Sequence, residues 1–195
     1  MIILASASPR RREILTSLGV DFKIITVDTD ESSSLTDPRA LTEELATRKG
    51  RAVYEHLATS EPAMARDAVI ISADTVVHAG GKILGKPRDA EDAMDMLRSL
   101  SGSRHSVVSG VAVTVGGITK SASAVTEVLV DEVPEDKLRA YVESGEPMDK
   151  AGAYAIQGHF SPWISAIKGC YFNVVGLPVN CLNTLFFECT GEYLI

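Results

Sequence analysis

The sequence is poor in the residues that build disulfide frameworks and zinc sites. It has three cysteines, Cys170, Cys181 and Cys189, an odd number with no C-x-x-C spacing. Its four histidines are scattered and match no local metal-binding motif such as H-E-x-x-H. A disulfide-stabilised secreted scaffold and a compact zinc site are therefore disfavoured, and reduced thiols indicate a cytoplasmic protein.

Long apolar runs and an excess of basic residues are also missing. No run approaches the length of a membrane span, and the stretch 1–7 is too short for the apolar region of a signal peptide, so we expect no membrane partner. The formal net charge of −7 argues against binding to a nucleic acid polymer, because such binding needs a basic surface. A small phosphorylated ligand is not excluded, since it needs only a local basic cluster.

The composition that remains is that of an ordinary globular protein. The chain has 195 residues, 45% of them hydrophobic and 23% charged, which fits one domain or two closely joined lobes. Segments with strand character alternate with segments of helical spacing, and Gly80-Gly81 and Gly116-Gly117 indicate hairpin turns. This alternation predicts an α/β fold with a mixed sheet.

The same patterns give approximate bounds for the elements. We predict strands at 1–5, 20–27, 68–77, 105–115, 118–130 and 170–175. We predict helices at 9–18, 38–57, 90–100, 135–143 and 179–189, and loops at 59–67 and 145–158. Ser8, Asp37 and Asp89 are the predicted N-cap residues of the first three helices.

The first turn of the chain concentrates positive charge at the start of a helix. Pro9 suits the first helical position, and Arg10, Arg11 and Arg12 follow it. Helix N-termini favour anions, so cations there are unfavourable unless an anion such as a phosphate chain is bound. The alternative, a solvated helix face, is about equally compatible with the sequence.

Two charged residues interrupt patterns that are otherwise apolar. Lys49 falls in the helical stripe of Leu45 and Val53, where it either extends to solvent or points into a cleft. Asp74 breaks the apolar strand 68–77, where an unpaired carboxylate is costly. It is either a strand-end aspartate bonded to turn amides or a carboxylate held for a metal or a water, and the flanking hydrophobic residues favour the second interpretation.

The segment GGKILGKP (80–87) is a near miss for the phosphate-binding loop G-x-x-x-x-G-K-[ST]. Pro87 stands where the hydroxyl for magnesium should be, and it disfavours a helical conformation at Lys86. We therefore reject that motif, although Lys86 remains a fixed cation that could meet a phosphate.

Six segments, in this order, resemble the Maf family of nucleoside triphosphate pyrophosphatases, also known as septum-formation-inhibitor-like. They are ASASPRR, SADTVV, GKPRDAEDA, LSGSRHSVVSGV, SGEPMDKAGAYAIQG and VVGLP, and they span 5–178. The resemblance implies one Maf-like domain over 1–195, with a mixed twisted sheet and an elongated, two-lobed Maf/ITPase-like architecture around a central cleft. It also implies hydrolysis of a nucleoside triphosphate to the monophosphate and pyrophosphate with a divalent cation (Mg, Mn or Co).

The resemblance implies roles for individual residues. The implied catalytic residues are Glu31, Lys49, Asp74 and Lys86, of which Glu31 and Asp74 are also the implied metal ligands. The implied substrate contacts are Ser6, Ser8, Arg10, Arg11, Thr75 and Gln157. Thr75 and Gln157 resemble the branch of the family associated with dTTP and UTP. Gly50 departs from the usual alanine, at a cost in helix stability of about 1 kcal/mol, and Ala7 replaces a common glycine.

Several alternatives stay open at this stage. Asp74 could be the general base or a metal ligand. A non-catalytic, nucleotide-binding regulator of cell division is the competing class, and Ser165 with Lys168 matches the S-x-x-K pattern of some serine hydrolases, although no companion motif accompanies it. The sequence does not define an oligomeric state, and a homodimer is compatible with it.

Overall fold

The computed structural model describes all residues, Met1–Ile195, and shows an α/β fold. The strands are β1 (Ile2–Leu4), β2 (Phe22–Ile24), β3 (Val69–Ala79), β4 (Lys82–Leu84), β5 (Arg104–Val115), β6 (Ile118–Val130) and β7 (Ile164–Lys168). The helices are α1 (Pro9–Ser17), α2 (Pro38–Ser60), α3 (Pro62–Asp67), α4 (Ala90–Leu100), α5 (Glu135–Glu143), α6 (Tyr171–Val175) and α7 (Val179–Thr190). Short 3-10 turns lie at Glu146–Asp149, Ala151–Ala153 and Ser161–Trp163.

The seven strands form one mixed sheet, which confirms the predicted fold class. Its strand order is β2-β1-β3-β5-β6-β7, and β4 pairs with β3. Strand β1 is parallel to both neighbours, with Ile3 opposite Lys23 on β2 and Ile70 on β3. The β3–β4 and β6–β7 pairs are antiparallel, and the second has an irregularity near Val130.

The chain divides into two compact units. Unit 1 comprises Met1–Asp74, Ser109–Ala124 and Gly176–Ile195, and unit 2 comprises Thr75–Val108 and Val125–Val175. Strands β3, β5 and β6 contribute residues to both. The core of unit 1 includes Ile3, Val53, Leu57 and Ile70. The core of unit 2 includes Val77, Leu97, Leu100, Val128, Leu138, Tyr154 and Phe160.

Local sequence signals explain where most elements begin. The Asp37 carboxylate accepts the backbone N–H of Ala40 (2.8 Å), and that of Asp89 accepts the N–H of Asp92 (2.8 Å), so both predicted caps are confirmed. Ser8 stands at the N-cap of α1, but its side chain makes no capping hydrogen bond, so that part of the prediction is wrong. No helix, including the 23-residue α2, is long and apolar enough to cross a membrane.

Two predicted segments differ from the structure, and one strand was not predicted. The predicted loop 59–67 contains the end of α2 and the helix α3, which Pro62 opens and which buries Ala65. The predicted strand 170–175 is wrong, because the chain there forms the short helix α6. The Asn173 side chain of α6 donates to the carbonyl of Val107 (3.0 Å) and to Thr126 Oγ1 (3.0 Å). Local residue propensities cannot predict these tertiary contacts. The strand near this part of the chain is β7 (Ile164–Lys168), which the sequence pattern did not predict.

Candidate functional site

Two carboxylates and one lysine meet within unit 1. Lys49 Nζ lies 2.6 Å from Asp74 Oδ1 and 2.7 Å from Glu31 Oε1. The side chains of Lys49 and Asp74 are 19% and 13% exposed, whereas that of Glu31 is 60% exposed. The lysine therefore does not extend into solvent, and a loop, a helix and a strand each supply one charge to this acid–lysine–acid trio.

Helix α2 brings Lys49 to Asp74 because small residues let it approach the sheet. Ser72, two residues before Asp74 and hence on the same face of β3, donates its hydroxyl to the carbonyl of Ala46 on α2 (2.6 Å). A Cβ at Gly50 would lie 2.8 Å from Ser72 Oγ and 2.8 Å from Thr114 Oγ1. The glycine that looks unfavourable for the helix thus leaves room for close packing of α2 against β3 and β5.

The arginine-bearing turn lies in the same unit, with Arg11 bound to the protein itself. Arg11 Nε donates to the carbonyl of Gly176 (2.9 Å), and its Nη1 donates to Ser6 Oγ (3.0 Å). Burial lowers the pKa of Arg11, the Asp74 and Glu31 carboxylates oppose that shift, and the neighbouring Arg10 charge adds to it. Arg11 is therefore electrostatically coupled to both carboxylates of the trio.

Ser6 has a structural role in this turn that the sequence did not indicate. Ser6 is 8% exposed, and its hydroxyl oxygen accepts both the Arg11 guanidinium and the backbone N–H of Ser8 (3.3 Å). Ser6 thus orients Arg11. Because its oxygen already accepts two hydrogen bonds, Ser6 can only donate its hydroxyl proton to a further partner.

The remaining predicted site residues belong to unit 2. Thr75 follows Asp74 directly along β3, and Lys86 is exposed after β4. The carbonyl of Gly85, the residue before this lysine, accepts the backbone N–H of Gly152 (3.0 Å), which fixes the turn that carries Lys86. The structure therefore groups five of the predicted charged residues within unit 1: Arg10, Arg11, Glu31, Lys49 and Asp74.

Gln157 is exposed on a turn that is fixed by Glu146. The Glu146 carboxylate accepts Tyr141 OH (3.0 Å) and the backbone N–H of His159 (3.3 Å), and it lies 2.8 Å from His159 Nδ1. A Cβ at Gly158, whose φ is +122°, would come within 2.4 Å of Glu146 Oε1. A side chain at that position would be strained and would clash with Glu146, and Gln157 is the residue that precedes this glycine on the turn.

The carboxylate oxygens of the trio are the groups that could hold a divalent cation. The structure contains no group of three or more histidine, cysteine, aspartate or glutamate side chains arranged to hold a metal ion. Glu31 and Asp74 supply hard carboxylate oxygens that converge on the single ammonium of Lys49. Two protein carboxylates suffice for a cation such as Mg²⁺ when phosphate and water oxygens complete its coordination, so these residues fit such an ion.

Some contacts of the site were missed by reasoning from the sequence. Arg48 contacts Glu44 on its own helix, Ser72 joins β3 to α2, and Glu146 contacts the turn that carries Gln157. The spacing of Glu44 and Arg48, four residues apart on a predicted helix, was a usable signal for a salt bridge. Ser165, by contrast, has only a 3.5 Å contact to the carbonyl of Leu129 and no hydrogen bond to Lys168, which gives no support to a serine hydrolase.

Comparison with known proteins connects this site to a family. The family model described as Maf-like protein matches residues 1–189. A dTTP/UTP pyrophosphatase of Thermococcus kodakarensis is 48% identical over 182 residues, which cover 93% of this chain and 93% of the relative. Proteins of the same description from Pelotomaculum thermopropionicum (47% identity, 91% of each chain) and Alkaliphilus metalliredigens (45% identity, 96% of this chain and 95% of the relative) are also similar. The chain belongs to the Maf-like protein family.

Proposed function

We propose that this protein hydrolyses dTTP and UTP to the corresponding monophosphate and pyrophosphate, using a divalent cation held by Glu31 and Asp74. Nucleotide pyrophosphatase activity is supported by family membership and by relatives that carry that description over most of their length. The observation that carries the proposal is the convergence of Glu31 and Asp74 on Lys49, in the unit that also holds Arg10 and Arg11.

The reaction needs an aligned water, a proton acceptor and neutralisation of the triphosphate. The water oxygen attacks the α-phosphorus, the bond to the oxygen bridging the α- and β-phosphates breaks, and pyrophosphate leaves with the electron pair of that bond. In this mechanism Asp74 accepts the proton of the water, and the hydrogen bond from Lys49 orients its carboxylate. A bound cation would supply Lewis-acid polarisation and charge neutralisation at the phosphates.

The basic residues give the triphosphate its counter-charges. Arg10 and Arg11 lie in the first turn of α1, and the N-terminus of a helix favours phosphate oxygens. Ser6 and the carbonyl of Gly176 fix Arg11, so little conformational entropy is lost when it meets a substrate. Lys86 and Thr75, carried by unit 2, remain predicted contacts of the same substrate.

A nucleotide panel tests this proposal directly. Purified protein is incubated with dTTP, UTP, CTP, GTP and ATP, with and without Mg²⁺, Mn²⁺ or Co²⁺, and both products are identified by chromatography. We expect a monophosphate and pyrophosphate, fastest release from dTTP and UTP, and dependence on the cation. Asp74→Asn should lower kcat by on the order of a hundredfold or more, since it removes the proton acceptor.

The control for that variant is Asp21→Asn, which removes an exposed carboxylate elsewhere in unit 1 and should leave turnover unchanged. Wild-type rates in Asp74→Asn would contradict the assigned mechanism. Tight nucleotide binding with no product from any triphosphate would favour the alternative function, a non-catalytic regulator that binds nucleotides.

A further inference from the structure

Arg48 holds the backbone on both sides of Glu31. Its Nη1 donates to the carbonyl of Asp30 (2.6 Å) and to the carbonyl of Ser32 (2.9 Å). Glu31 lies between these two carbonyls, in a segment that has no helix or strand from the end of β2 to the start of α2. One guanidinium thus fixes the chain immediately before and immediately after the exposed carboxylate of the trio.

The guanidinium is itself held in place by its own helix. Arg48 Nη2 donates to Glu44 Oε1 one turn earlier on α2, and the other oxygen of Glu44 accepts the hydroxyl of Ser33 (2.7 Å). The Ser33 hydrogen bond, followed by the Arg48 hydrogen bond, lowers the pKa of Glu44. Glu44 therefore bridges the helix and the loop and orients the guanidinium group of Arg48.

The loop around Glu31 also contains hydrogen bonds between its own residues. The Asp30 carboxylate accepts the backbone N–H of Ser32 (2.8 Å) and the Ser32 hydroxyl (2.7 Å), a local turn that leaves both flanking carbonyls facing Arg48. The planar, multi-donor guanidinium can bind two carbonyls and a carboxylate at once, which an ammonium group does not do with the same geometry.

We propose that Arg48 is a positioning residue for Glu31. Lys49, the next residue on α2, binds the Glu31 carboxylate, while Arg48 fixes the backbone from which that carboxylate extends. The ion pair between Lys49 and Glu31 has one largely exposed partner, and such pairs contribute little by themselves, so the backbone contacts of Arg48 add a restraint of a different kind. The inference rests on the proposed function, in which Glu31 contributes to the binding of cation and substrate.

The test is a double-mutant cycle between Arg48 and Glu31. Arg48→Gln, Arg48→Lys, Glu31→Gln and the double variant Arg48→Gln/Glu31→Gln are compared with wild type for pyrophosphate release at increasing Mn²⁺. Arg48→Gln should lower kcat/KM by about fivefold to twentyfold and raise the Mn²⁺ concentration for half-maximal rate, with Arg48→Lys intermediate. In the Glu31→Gln background the same change should cost less than about twofold, because Arg48 acts through Glu31.

A second measurement does not depend on activity. Hydrogen–deuterium exchange of the segment 28–36 should be faster in Arg48→Gln than in wild type, because the two carbonyl contacts are lost. The matched control is Arg51→Gln, an exposed arginine on the same helix, which should change neither exchange nor turnover.

The outcomes separate this inference from the function on which it rests. Equal fold-losses from Arg48→Gln in both backgrounds, or unchanged exchange in 28–36, would overturn the positioning role. If wild-type protein releases no pyrophosphate from any triphosphate, the proposed function fails. The exchange comparison then still decides whether Arg48 holds the loop around Glu31.

Discussion

At the scale of single residues, Lys49 determines the electrostatic character of the site. Its one ammonium group lies between two carboxylates, at 2.6 and 2.7 Å, so the trio carries one net negative charge when all three groups are ionised. Without the lysine, Glu31 and Asp74 would face each other as like charges, which repel. The lysine therefore stabilises the close approach of the two carboxylates.

Gln157 gives a prediction at the same scale. Its amide is exposed on the turn supported by Glu146, and an amide offers both a donor and an acceptor, the pattern that O4 and N3 of a uracil or thymine ring require. Gln157→Glu removes the donor and adds a charge. We expect the ratio of kcat/KM for UTP over GTP to fall by about tenfold or more, measured as pyrophosphate release from each nucleotide.

The control for Gln157→Glu is Asn180→Asp, which makes the same amide-to-acid change at an exposed position on α7. That variant should retain the wild-type preference. An unchanged UTP-to-GTP ratio in Gln157→Glu, with normal folding by circular dichroism, would show that the turn does not read the base.

At the scale of elements, α2 organises unit 1. It presents Glu44 and Arg48 to the loop around Glu31, and Lys49 to β3. The close approach of α2 to the sheet depends on small residues, since a Cβ at Gly110 on β5 would lie 2.3 Å from the carbonyl carbon and oxygen of Thr42. A helix held this close has little freedom to slide, which keeps the short contacts of Lys49 in register.

Gly50→Ala tests whether packing against the sheet or helix propensity has the larger effect on stability at this interface. Alanine favours a helix by about 1 kcal/mol over glycine, but its Cβ would lie 2.8 Å from both Ser72 Oγ and Thr114 Oγ1. Relieving that contact would disturb the bond from Ser72 to Ala46. We expect a net loss of about 1–3 kcal/mol in the free energy of unfolding, measured by urea denaturation.

Gly85→Ala is the matched control, because a Cβ at position 85 has no heavy atom within 4 Å and the glycine has no positive φ. It should change stability by less than about 0.5 kcal/mol. If Gly50→Ala is instead more stable than wild type, α2 can move away from β3 at no cost, and the glycine is not a packing requirement.

At the scale of the whole molecule, the fold class was readable from the sequence, but the partners of individual residues were not. Alternating strand and helix patterns gave the mixed α/β sheet, and Asp37 and Asp89 gave helix starts, because these signals are local. The sequence of α6 predicts a strand, because aromatic and β-branched residues favour a strand locally. Its anchor, from Asn173 to Val107, joins residues far apart in the chain.

The candidate site follows the same division between local and distant information. Residue types in the motifs pointed to Lys49 and Asp74, but the sequence left open whether the lysine meets solvent or an acid. The answer depends on how closely α2 approaches β3, which Gly50 and Ser72 determine across a tertiary contact. The role of Arg48 depends on the path of an irregular loop, for which the sequence has no periodic signal.

The buried histidine of unit 2 makes stability depend on pH. His105 is 3% exposed, its Nε2 lies 2.7 Å from Tyr154 OH, and its Nδ1 has no hydrogen-bond partner. Burial lowers the pKa of His105 to about 4, against about 6.5 in an unfolded chain. Because the unfolded state then takes up a proton at higher pH than the native state, the free energy of unfolding should fall by roughly 3 kcal/mol as pH decreases from 7 to 4.

Urea denaturation between pH 7.5 and pH 4.5 measures this dependence, with His105→Gln as the non-titrating variant. The variant loses the hydrogen bond to Tyr154, which changes its stability at every pH, so the slope with pH is the quantity compared. We expect a shallower slope in His105→Gln, whereas His56→Gln, which removes an exposed histidine on α2, should keep the wild-type slope. Parallel slopes for wild type and His105→Gln would mean that the native state accepts the proton as readily as the unfolded chain, and this would contradict the pKa expected for a buried ring packed edge-on against Tyr154.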